Sequence, residues 1–422
     1  MYCRNCNSLK LKRIVNIGKQ PISSIFYRSI KKKLHKYSLD LFICKVCTLV
    51  QFKKSTPIKE MYGLNYGYQS NLSQSMVKHL KKKFLFLKKN FLKRQSSILD
   101  IGSNDGTFLN FFGKNSFLVG IDPSIKKFYK NYKKNIITIN NYFSFKNIKK
   151  NIFIRKQENK FDLISSFAIF YDIEDPNSFC SDVNKLLKKN GIWVVEFSYL
   201  PLMLKNLTFD QICHEHVTYY SLKVFNEIIK NNNLKIVNIK LNEINGGSIE
   251  IICSKKDSKF REKKKELEKI FEDENKINFK SFKNFENRIK KSNNLFKTFL
   301  KKIKSKKIEG YGASTKGNIV LNHFKITNRI VPFICDANKF KKGRFTPGTN
   351  IKIITKEKMR LNNPDYLLVL IWPFRSEVIK EEINYIKKGG SLVFLLPRFH
   401  IINKFNYRNF IKKNFKSMSY KY

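Results

Sequence analysis

A His-Glu-His triplet at residues 214–216 contains two of the six histidines of the chain. In an extended segment His214 and His216 point to the same side, because side chains alternate along a strand. Three kinds of site have this pattern: a metal pair, a polar surface turn, and a general base, since a neutral imidazole can accept a proton at physiological pH. The triplet follows a strand signal at residues 192–197, at the sheet edge where doubly wound folds bind ligands.

Four of the eight cysteines form two C-x-x-C pairs, Cys3 with Cys6 and Cys44 with Cys47. Four thiolates make the closed tetrahedral site that structural zinc prefers. The stretch between the pairs is longer than in an ordinary zinc ribbon, which indicates a ribbon with an insertion. Two unrelated pairs or a redox pair are the alternatives, but neither pair follows a strand of a βαβ unit. We therefore expect a zinc ion that holds a small domain together without taking part in chemistry.

An apolar strand that runs into a glycine-containing turn, ILDIGSNDGTF at residues 98–108, predicts a nucleotide-type site. Gly102 and Gly106 let the backbone approach a ligand, and Asp100 can accept a hydrogen bond or meet a cationic group. Asp122 ends the next strand about twenty residues later, the placement that binds ribose hydroxyls. The turn is neither G-x-G-x-x-G nor a lysine-bearing P-loop. It looks like the S-adenosylmethionine site of the doubly wound methyltransferases.

That likeness adds five neighbouring residues to the candidate cofactor site. For Phe143 and Phe167 ordinary core packing is an equal alternative to contact with the ligand. The added residues are Ser103, Asn104, Tyr142, Phe143 and Phe167.

A second turn, GYGASTKGN at residues 310–318, follows another strand signal. Backbone N–H groups at the start of the next helix, together with hydroxyls and a lysine, can hold a pyrophosphate. The dinucleotide site of a dehydrogenase fits the same pattern, and a nucleotide-sugar diphosphate is the better interpretation beside a methyltransferase core. The candidate substrate-binding residues are Gly312, Ser314, Thr315, Lys316, Asn318, Asp336 and Arg344.

Short apolar runs bounded by Gly, Asp or Asn predict the strands that position these residues. Runs that alternate with helical patterns predict mostly parallel sheets with helices on both faces. Phe285, Ile289, Phe296, Phe299 and Ile303 recur at helical spacing and predict one or two connecting helices. The predicted strands span residues 41–44, 49–52, 97–101, 117–121, 161–165, 192–197, 249–253, 308–312, 330–335, 365–371 and 391–396, with a further strand signal before residue 141.

The predicted fold class is α/β, in four parts. A small N-terminal zinc-binding domain spans residues 1–65, and a doubly wound class I methyltransferase core spans residues 66–254. A helical connector at residues 255–306 leads to a C-terminal Rossmann-like α/β domain at residues 307–422. The 422 residues suffice for two or three cores, and a 14% aromatic content argues against disorder as the dominant state.

The formal net charge is +52, from 84 basic and 32 acidic residues. Such a charge suits nucleic acid, because basic residues that neutralise phosphates release counterions. The basic residues, however, are mostly Lys rather than Arg, are spread over the whole length and accompany abundant Asn, Ile and Phe. We interpret them as the composition bias of an AT-rich genome, which acts through solubility and the steering of anionic ligands.

No apolar stretch reaches the roughly 18 residues that a membrane span needs. The start MYCRNCNSLK also lacks the pattern of a secretory signal. We therefore expect a cytoplasmic protein without a membrane partner, and we expect a monomer.

Five motifs occur in order over nearly the whole chain: the four cysteines, YGYQSN at residues 66–71, LDIGSNDG, HEH and GYGASTKGN. Together they resemble the sugar C-methyltransferases of deoxysugar biosynthesis, which methylate carbon 3 of nucleotide-linked 4-keto sugars. The resemblance implies S-adenosylmethionine as cofactor, structural zinc and a nucleotide-diphosphate sugar as substrate. It implies that His216 is the general base, that Glu215 positions the sugar or the imidazole, and that His214 orients the segment.

The resemblance also makes Tyr66 and Tyr68 candidates for contacting the sugar, with packing of aromatics between domains as the alternative. Some family members carry Tyr where this chain has Cys213, so a phenol contribution is absent here. Two other functions fit parts of the pattern. An RNA methyltransferase suits the zinc knuckles and the charge, although no RNA module is recognisable. The second alternative is a protein that binds a nucleotide sugar without catalysing a reaction.

Overall fold

The computed structural model describes residues 2–31, 33–61, 69–155 and 160–411. Their strands form a four-stranded, a seven-stranded and a six-stranded sheet. The strands are β1 (Leu11–Gln20), β2 (Tyr37–Cys44), β3 (Val50–Phe52), β4 (Ser97–Ile101), β5 (Phe117–Ile121), β6 (Ile136–Ile139), β7 (Phe161–Phe167), β8 (Leu187–Ser198), β9 (Thr218–Tyr219), β10 (Leu234–Asn242), β11 (Ser248–Lys255), β12 (Ile308–Tyr311), β13 (Phe333–Cys335), β14 (Lys352–Ile354), β15 (Tyr366–Val369), β16 (Ser391–Phe394) and β17 (His400–Ile402).

Helices connect and cover these sheets, with several single 3₁₀ turns between them. The helices are α1 (Ile58–Met61), α2 (Gln74–Asn90), α3 (Ile125–Phe128), α4 (Phe145–Lys149), α5 (Ile152–Arg155), α6 (Pro176–Leu186), α7 (Leu200–Asn206), α8 (Leu222–Asn231), α9 (Lys264–Asn275), α10 (Phe279–Lys302), α11 (Thr315–His323), α12 (Lys356–Asn362), α13 (Arg375–Glu381), α14 (Ile383–Lys387) and α15 (Tyr407–Ile411).

The N-terminal sheet has the order β1-β2-β3-β9 with antiparallel pairing throughout. Strand β9 comes from the region that the sequence assigned to the methyltransferase core. It pairs with β3 through Val50 opposite Tyr219 and Gln51 opposite Thr218. The chain two residues after His216 is therefore anchored to the N-terminal sheet.

The middle sheet has the order β10-β11-β8-β7-β4-β5-β6. Strands β4 to β8 run parallel, while β11 is antiparallel to both of its neighbours. Every residue of β4 is buried, as expected for a parallel strand with both faces covered. The strand order reverses at β4, between β5 and β7, and ligands of doubly wound folds bind at such a switch point.

The C-terminal sheet has the order β14-β13-β12-β15-β16-β17, and β17 alone is antiparallel. Its order reverses at β12, between β13 and β15. The turn that follows β12 leads into α11, so the GYGASTKGN motif occupies the switch point of this second α/β unit.

Helix α10 joins the three sheets. A capping box between Asn278 and Ser281 starts it, and the apolar residues predicted from their spacing are buried along one face. The guanidinium of Arg288 donates to the carbonyls of Leu204 and Lys205 at 2.9 and 2.8 Å, and Ser292 donates to the carbonyl of Leu395 at 2.7 Å. The predicted connecting helices are confirmed.

The predicted strands are likewise confirmed, with ends that differ by a few residues. The run at residues 330–335 is strand only over β13, because Pro332 has no N–H for the ladder. The sequence reading missed β1, β9, β10, β14 and β17, which are short, polar on one face or defined by partners distant in the chain. Within the described residues, no helix is long and apolar enough to cross a membrane.

Candidate functional site

A cavity of about 330 Å³ lies where β4, β5, β7 and β8 end. It is lined by most of the residues predicted to hold the cofactor: Asp100, Gly102, Ser103, Asn104, Asp122, Tyr142, Phe143 and Phe167. Gly106, the remaining one, is not among its lining residues. Helix α2 contributes Met76 and Leu80, and the loop after β10 contributes Asn245.

The turn after β4 has left-handed backbone at Gly102, Asn104 and Gly106, with φ of 72°, 49° and 76°. A Cβ on Gly102 would lie 2.6 Å from Cγ2 of Ile169, and one on Gly106 would lie 2.8 Å from the ring of Tyr132. Both glycines are thus needed for conformation and for close packing of a neighbouring side chain. At Gly106 this corrects the expectation of close approach to a ligand.

Two carboxyl groups line the cavity, Asp100 buried and Asp122 partly buried. Asp100 accepts from Ser165 Oγ at 2.7 Å, and burial raises the pKa of Asp100 to about 7, with the charges of Asp122 and Asp105 adding to the effect. Asp122 accepts from the backbone N–H of Asn104 at 3.1 Å and of Ser124 at 2.7 Å. These acids can accept hydrogen bonds from hydroxyl or ammonium groups of a nucleoside ligand.

Two of the aromatic candidates pack against core rings and also line the cavity. Phe143 packs on Phe179 with ring centroids 4.9 Å apart, and Phe167 packs edge-on against Phe108 at the same distance. Both rings also line the cavity, so core packing and ligand contact are compatible. Tyr142 is 47% exposed at the cavity mouth.

A buried ionic cluster missed by the sequence reading closes one side of the cavity. Glu196 of β8 accepts from His79 at 2.9 Å, from Lys83 at 2.7 Å and from Asn242 at 2.6 Å, and Lys83 also pairs with Glu250. Although burial alone would raise it, the charge of Lys83 and the hydrogen bond with His79 lower the pKa of Glu196 to about 2. The cluster holds α2 against the sheet. Its members lie far apart in the chain, so no pattern of residue spacing in the sequence could predict it.

His216 is buried beside Tyr171, with ring centroids 3.9 Å apart. Burial and then the charge of Lys316 hold the pKa of His216 well below its usual value. The imidazole is therefore neutral near pH 7 and able to accept a proton. The next residue, Val217, lines the cofactor cavity, so His216 lies one residue away from its wall.

His214 points away from His216, toward the N-terminal domain. Its Nδ1 accepts from the N–H of Ser23 at 3.3 Å, and its Nε2 donates to the carbonyl of Gln20 at 3.1 Å. Both ring nitrogens are therefore engaged by the N-terminal domain. The metal-pair alternative is unsupported, because the one metal-compatible cluster among the described residues consists of the four cysteines.

In the part of the chain that the structure describes, three further buried side chains each carry an oxygen without a hydrogen-bond partner. Asp210 accepts from Trp372 Nε1 at 2.8 Å, while burial raises the pKa of Asp210. Among the described residues, neither Asp210 Oδ1 nor Glu215 Oε2 nor Asn318 Oδ1 has a hydrogen-bond partner. Buried acceptors without a partner are costly, so these three fit a ligand that brings several hydroxyl donors.

The helix α11 turn has the expected glycine and cap. Gly312 has φ of 87°, and Ser314 accepts from the N–H of Gly317 at 2.9 Å. Thr315 is the first residue of the helix and is partly buried. Asn318 donates to the carbonyl of Ser23 at 2.7 Å, and Lys316 donates to Asn245 Oδ1 at 3.1 Å. This turn therefore meets both other sheets.

Asp336 and Arg344 are engaged within the protein and do not line the cavity. Asp336 accepts from the N–H of Asn338 at 2.8 Å and pairs with Lys341 at 3.5 Å. Arg344 donates to the carbonyls of Phe340 and Phe26 at 2.9 and 3.1 Å. Their sequence positions had suggested diphosphate contacts. Tyr66 and Tyr68 lie outside the described residues.

The four cysteines converge on one point. Their sulfur atoms all lie within 4.8 Å of one another, with Cys3 to Cys47 at 3.4 Å and Cys6 to Cys44 at 3.6 Å. Tetrahedral zinc with bonds of about 2.3 Å sets its sulfurs about 3.8 Å apart. The residues present thus fit a structural Zn²⁺ held by four thiolates.

Comparisons with known proteins agree with this architecture. A zinc binding domain model matches residues 3–62, a methyltransferase domain model matches residues 68–239, and a C-methyltransferase C-terminal domain model matches residues 243–397. C-methyltransferase NovU of Streptomyces niveus is 24% identical over 412 residues, which cover 95% of this chain and 96% of NovU.

Two similar solved structures each cover less than half of this chain. A 1,6-didemethyltoxoflavin-N1-methyltransferase of Burkholderia thailandensis, bound to S-adenosylhomocysteine, is 11% identical with a TM-score of 0.32 and covers 42% of this chain and 77% of its own. The PH0226 protein of Pyrococcus horikoshii is 16% identical with a TM-score of 0.34 and covers 44% and 94%.

The middle sheet, its cavity and the methyltransferase domain match define an S-adenosylmethionine-dependent methyltransferase. The three consecutive domain matches and the full-length similarity to NovU then specify the kind. The chain is similar to the C-methyltransferases along nearly its whole length, with a zinc-binding domain match at its N-terminus.

Cys44→Ser should release zinc, because it removes one of four ligands from a site that holds the domain together. We expect a large loss of zinc by metal analysis and a lower melting temperature. Cys335→Ser in β13 is the control and should keep its zinc. Full zinc retention by Cys44→Ser would contradict the four-thiolate site.

Asp100→Asn should flatten the pH dependence of stability. A carboxyl pKa raised from about 4 to about 7 gives a contribution that is complete below pH 4 and is lost as pH rises through 7. The free energy of unfolding of the cofactor-free protein should thus fall with rising pH in this window, by at most about 1.4 kcal/mol per unit from this group.

The amide mimics the protonated acid, so the variant should lack that slope in urea unfolding measured from pH 4 to pH 8. Asp257→Asn, at an exposed position, should keep the wild-type profile. Identical profiles for Asp100→Asn and wild type would show that Asp100 titrates normally.

Proposed function

We propose that this chain transfers a methyl group from S-adenosylmethionine to carbon 3 of a nucleotide-linked 4-keto deoxysugar. The observation that carries the proposal is a buried, neutral His216 one residue before Val217, which lines the methyltransferase cavity. Methylation of nitrogen or oxygen has a lone pair to use, whereas methylation of carbon first needs a proton removed. A base of this kind is therefore what a carbon acceptor requires.

His216 takes the proton from the carbon next to the ketone in this proposal. The carbonyl makes that C–H bond acidic, because its electron pair can move onto the carbonyl oxygen. S-adenosylmethionine supplies the methyl group from its sulfonium sulfur. Tyr171 holds the imidazole ring by direct packing at 3.9 Å between centroids, and His216 releases its proton to solvent after turnover.

The sugar is proposed to lie at the junction of the three sheets, against Glu215. The acceptor atoms without partners on Glu215, Asp210 and Asn318 support this position, because a sugar offers hydroxyl donors to each. The turn at Gly312, Ser314 and Thr315 faces the same junction and provides the helix start that suits the diphosphate.

The cofactor is proposed to occupy the cavity at β4. Asp122 suits the ribose hydroxyls, since its carboxylate is held in place by the N–H groups of Asn104 and Ser124. Phe143 and Tyr142 suit the adenine, with one ring in the wall and the other at the mouth. Asp100, Gly102, Ser103 and Phe167 complete the lining.

The direct test is methyl transfer by the purified protein on a panel of dTDP- and UDP-linked 4-keto-6-deoxy sugars. We expect a product heavier by one methyl group, with the label on carbon. Absence of methylation of every sugar while zinc and cofactor bind would overturn the proposal. Methylation of RNA in parallel assays would favour the RNA methyltransferase instead.

His216→Gln should slow methylation by roughly 10²- to 10⁴-fold, the usual cost of losing a general base. Affinity for S-adenosylhomocysteine, measured by calorimetry, should stay nearly unchanged. His323→Gln is the matched control, because this partly buried imidazole binds the carbonyl of Ile17 outside the site. Wild-type turnover by His216→Gln would remove His216 from the role of base.

A further inference from the structure

Lys316 is the second residue of α11, but its ammonium group contacts the loop between β10 and β11 of the middle sheet. Nζ donates to Asn245 Oδ1 at 3.1 Å. Asn245 lines the cofactor cavity and is itself held by Gln211, whose Nε2 donates to its carbonyl. Lys316, on a helix of the C-terminal unit, is thereby held beside the cavity at the end of the middle sheet.

Its electrostatic surroundings join it to the proposed base. Burial lowers the pKa of Lys316, and the charges of Asp210, Asp172 and Glu215 oppose that effect. In turn, the charge of Lys316 is one of the causes that lower the pKa of His216. The ammonium therefore lies within electrostatic reach of the imidazole.

The hydrogen bonds of Lys316 are incomplete. An ammonium has three N–H donors, and within the described part of the chain Asn245 is the one acceptor bonded to it. Two donors are left for a ligand, and Glu215, whose charge acts on Lys316, also has an oxygen without a partner among the described residues. Ser314, by contrast, uses its side chain to cap α11.

We propose that Lys316 is a catalytic residue that donates a hydrogen bond to the ketone oxygen of the substrate while His216 removes the neighbouring proton. This assignment rests on the proposed function, and it replaces the diphosphate role that the helix-start position of Lys316 suggests. In the step, the C–H bond breaks and an N–H bond forms on His216. The released electron pair moves onto the ketone oxygen.

The charge balance of this step explains why a cation is useful at this position. Proton transfer makes His216 cationic and the ketone oxygen anionic at the same time. Lys316 and the imidazolium then flank a new negative charge, whereas before the step no such charge is present. The attraction is therefore larger in the transition state than in the ground state, which is the condition for catalysis.

The experiment separates proton removal from methyl transfer and from diphosphate binding. The protein is incubated in D₂O with the keto sugar and S-adenosylhomocysteine, and deuterium at the carbon beside the ketone is followed by mass spectrometry. Calorimetry measures the affinity for dTDP, UDP and S-adenosylhomocysteine. Lys316→Met is compared with Lys356→Met. Lys356 is the matched lysine, because it lies at the start of α12 and pairs with Glu381 of α13.

For Lys316→Met we expect exchange slowed roughly 10²- to 10³-fold, the usual effect of losing one oxyanion donor. The affinity for all three ligands should change by less than about threefold, and Lys356→Met should exchange like wild type. If Lys316→Met fails to bind S-adenosylhomocysteine, Lys316→Gln is used instead. Its amide keeps an N–H donor without the charge, so we expect a smaller slowing of exchange, again with ligand affinities that change by less than about threefold.

Unchanged exchange in the variant would overturn the assignment. So would a loss of dTDP and UDP affinity that matches the loss of exchange, because that pattern identifies a diphosphate ligand. Absence of exchange by the wild-type protein with every keto sugar has a different meaning: the proposed function itself then fails, and the role of Lys316 with it.

Discussion

The position of His216 depends on a short irregular segment that three sheets hold at once. Trp372 from the C-terminal unit donates to Asp210 at 2.8 Å, and the N-terminal domain provides the acceptor and donor for His214. Strand β9 then pairs with β3. Irregular chain can be buried only where its polar groups find partners. His216 is therefore placed by the assembly of all three units rather than by one loop.

The zinc-binding domain shares in this placement. Arg4, between the first two cysteines, donates to the carbonyl of Phe52 at 2.7 Å and to Ser55 at 2.6 Å, and it pairs with Glu174 at 3.0 Å. Glu174 lines the cofactor cavity. A metal that holds the cysteine loop thus also supports the cavity wall, although it lies outside the chemistry.

The Asp and Glu side chains that line the cavity are not accompanied by any Lys or Arg among its described lining residues. The cavity is lined by Asp100, Asp122, Asp172, Glu174 and Glu196 in a chain of net charge +52. A sulfonium ligand is cationic, and acidic walls of low dielectric attract it more strongly than distant surface lysines repel it, since salt screens the latter. Net charge therefore describes the surface of this protein and not its cavity.

The sequence alone was enough to predict features that depend on residue types a few positions apart. These are the cysteine pairs, the strand and turn around Gly102, the His-Glu-His triplet, and the alternation of strand and helix patterns that indicates two α/β units. They are local because each depends on neighbours within a few residues. The Glu196 cluster, the pairing of β9, the separate directions of His214 and His216, and the inward reach of Lys316 were decided by tertiary structure. Each depends on groups brought together from distant parts of the chain, whose burial sets both their partners and their protonation.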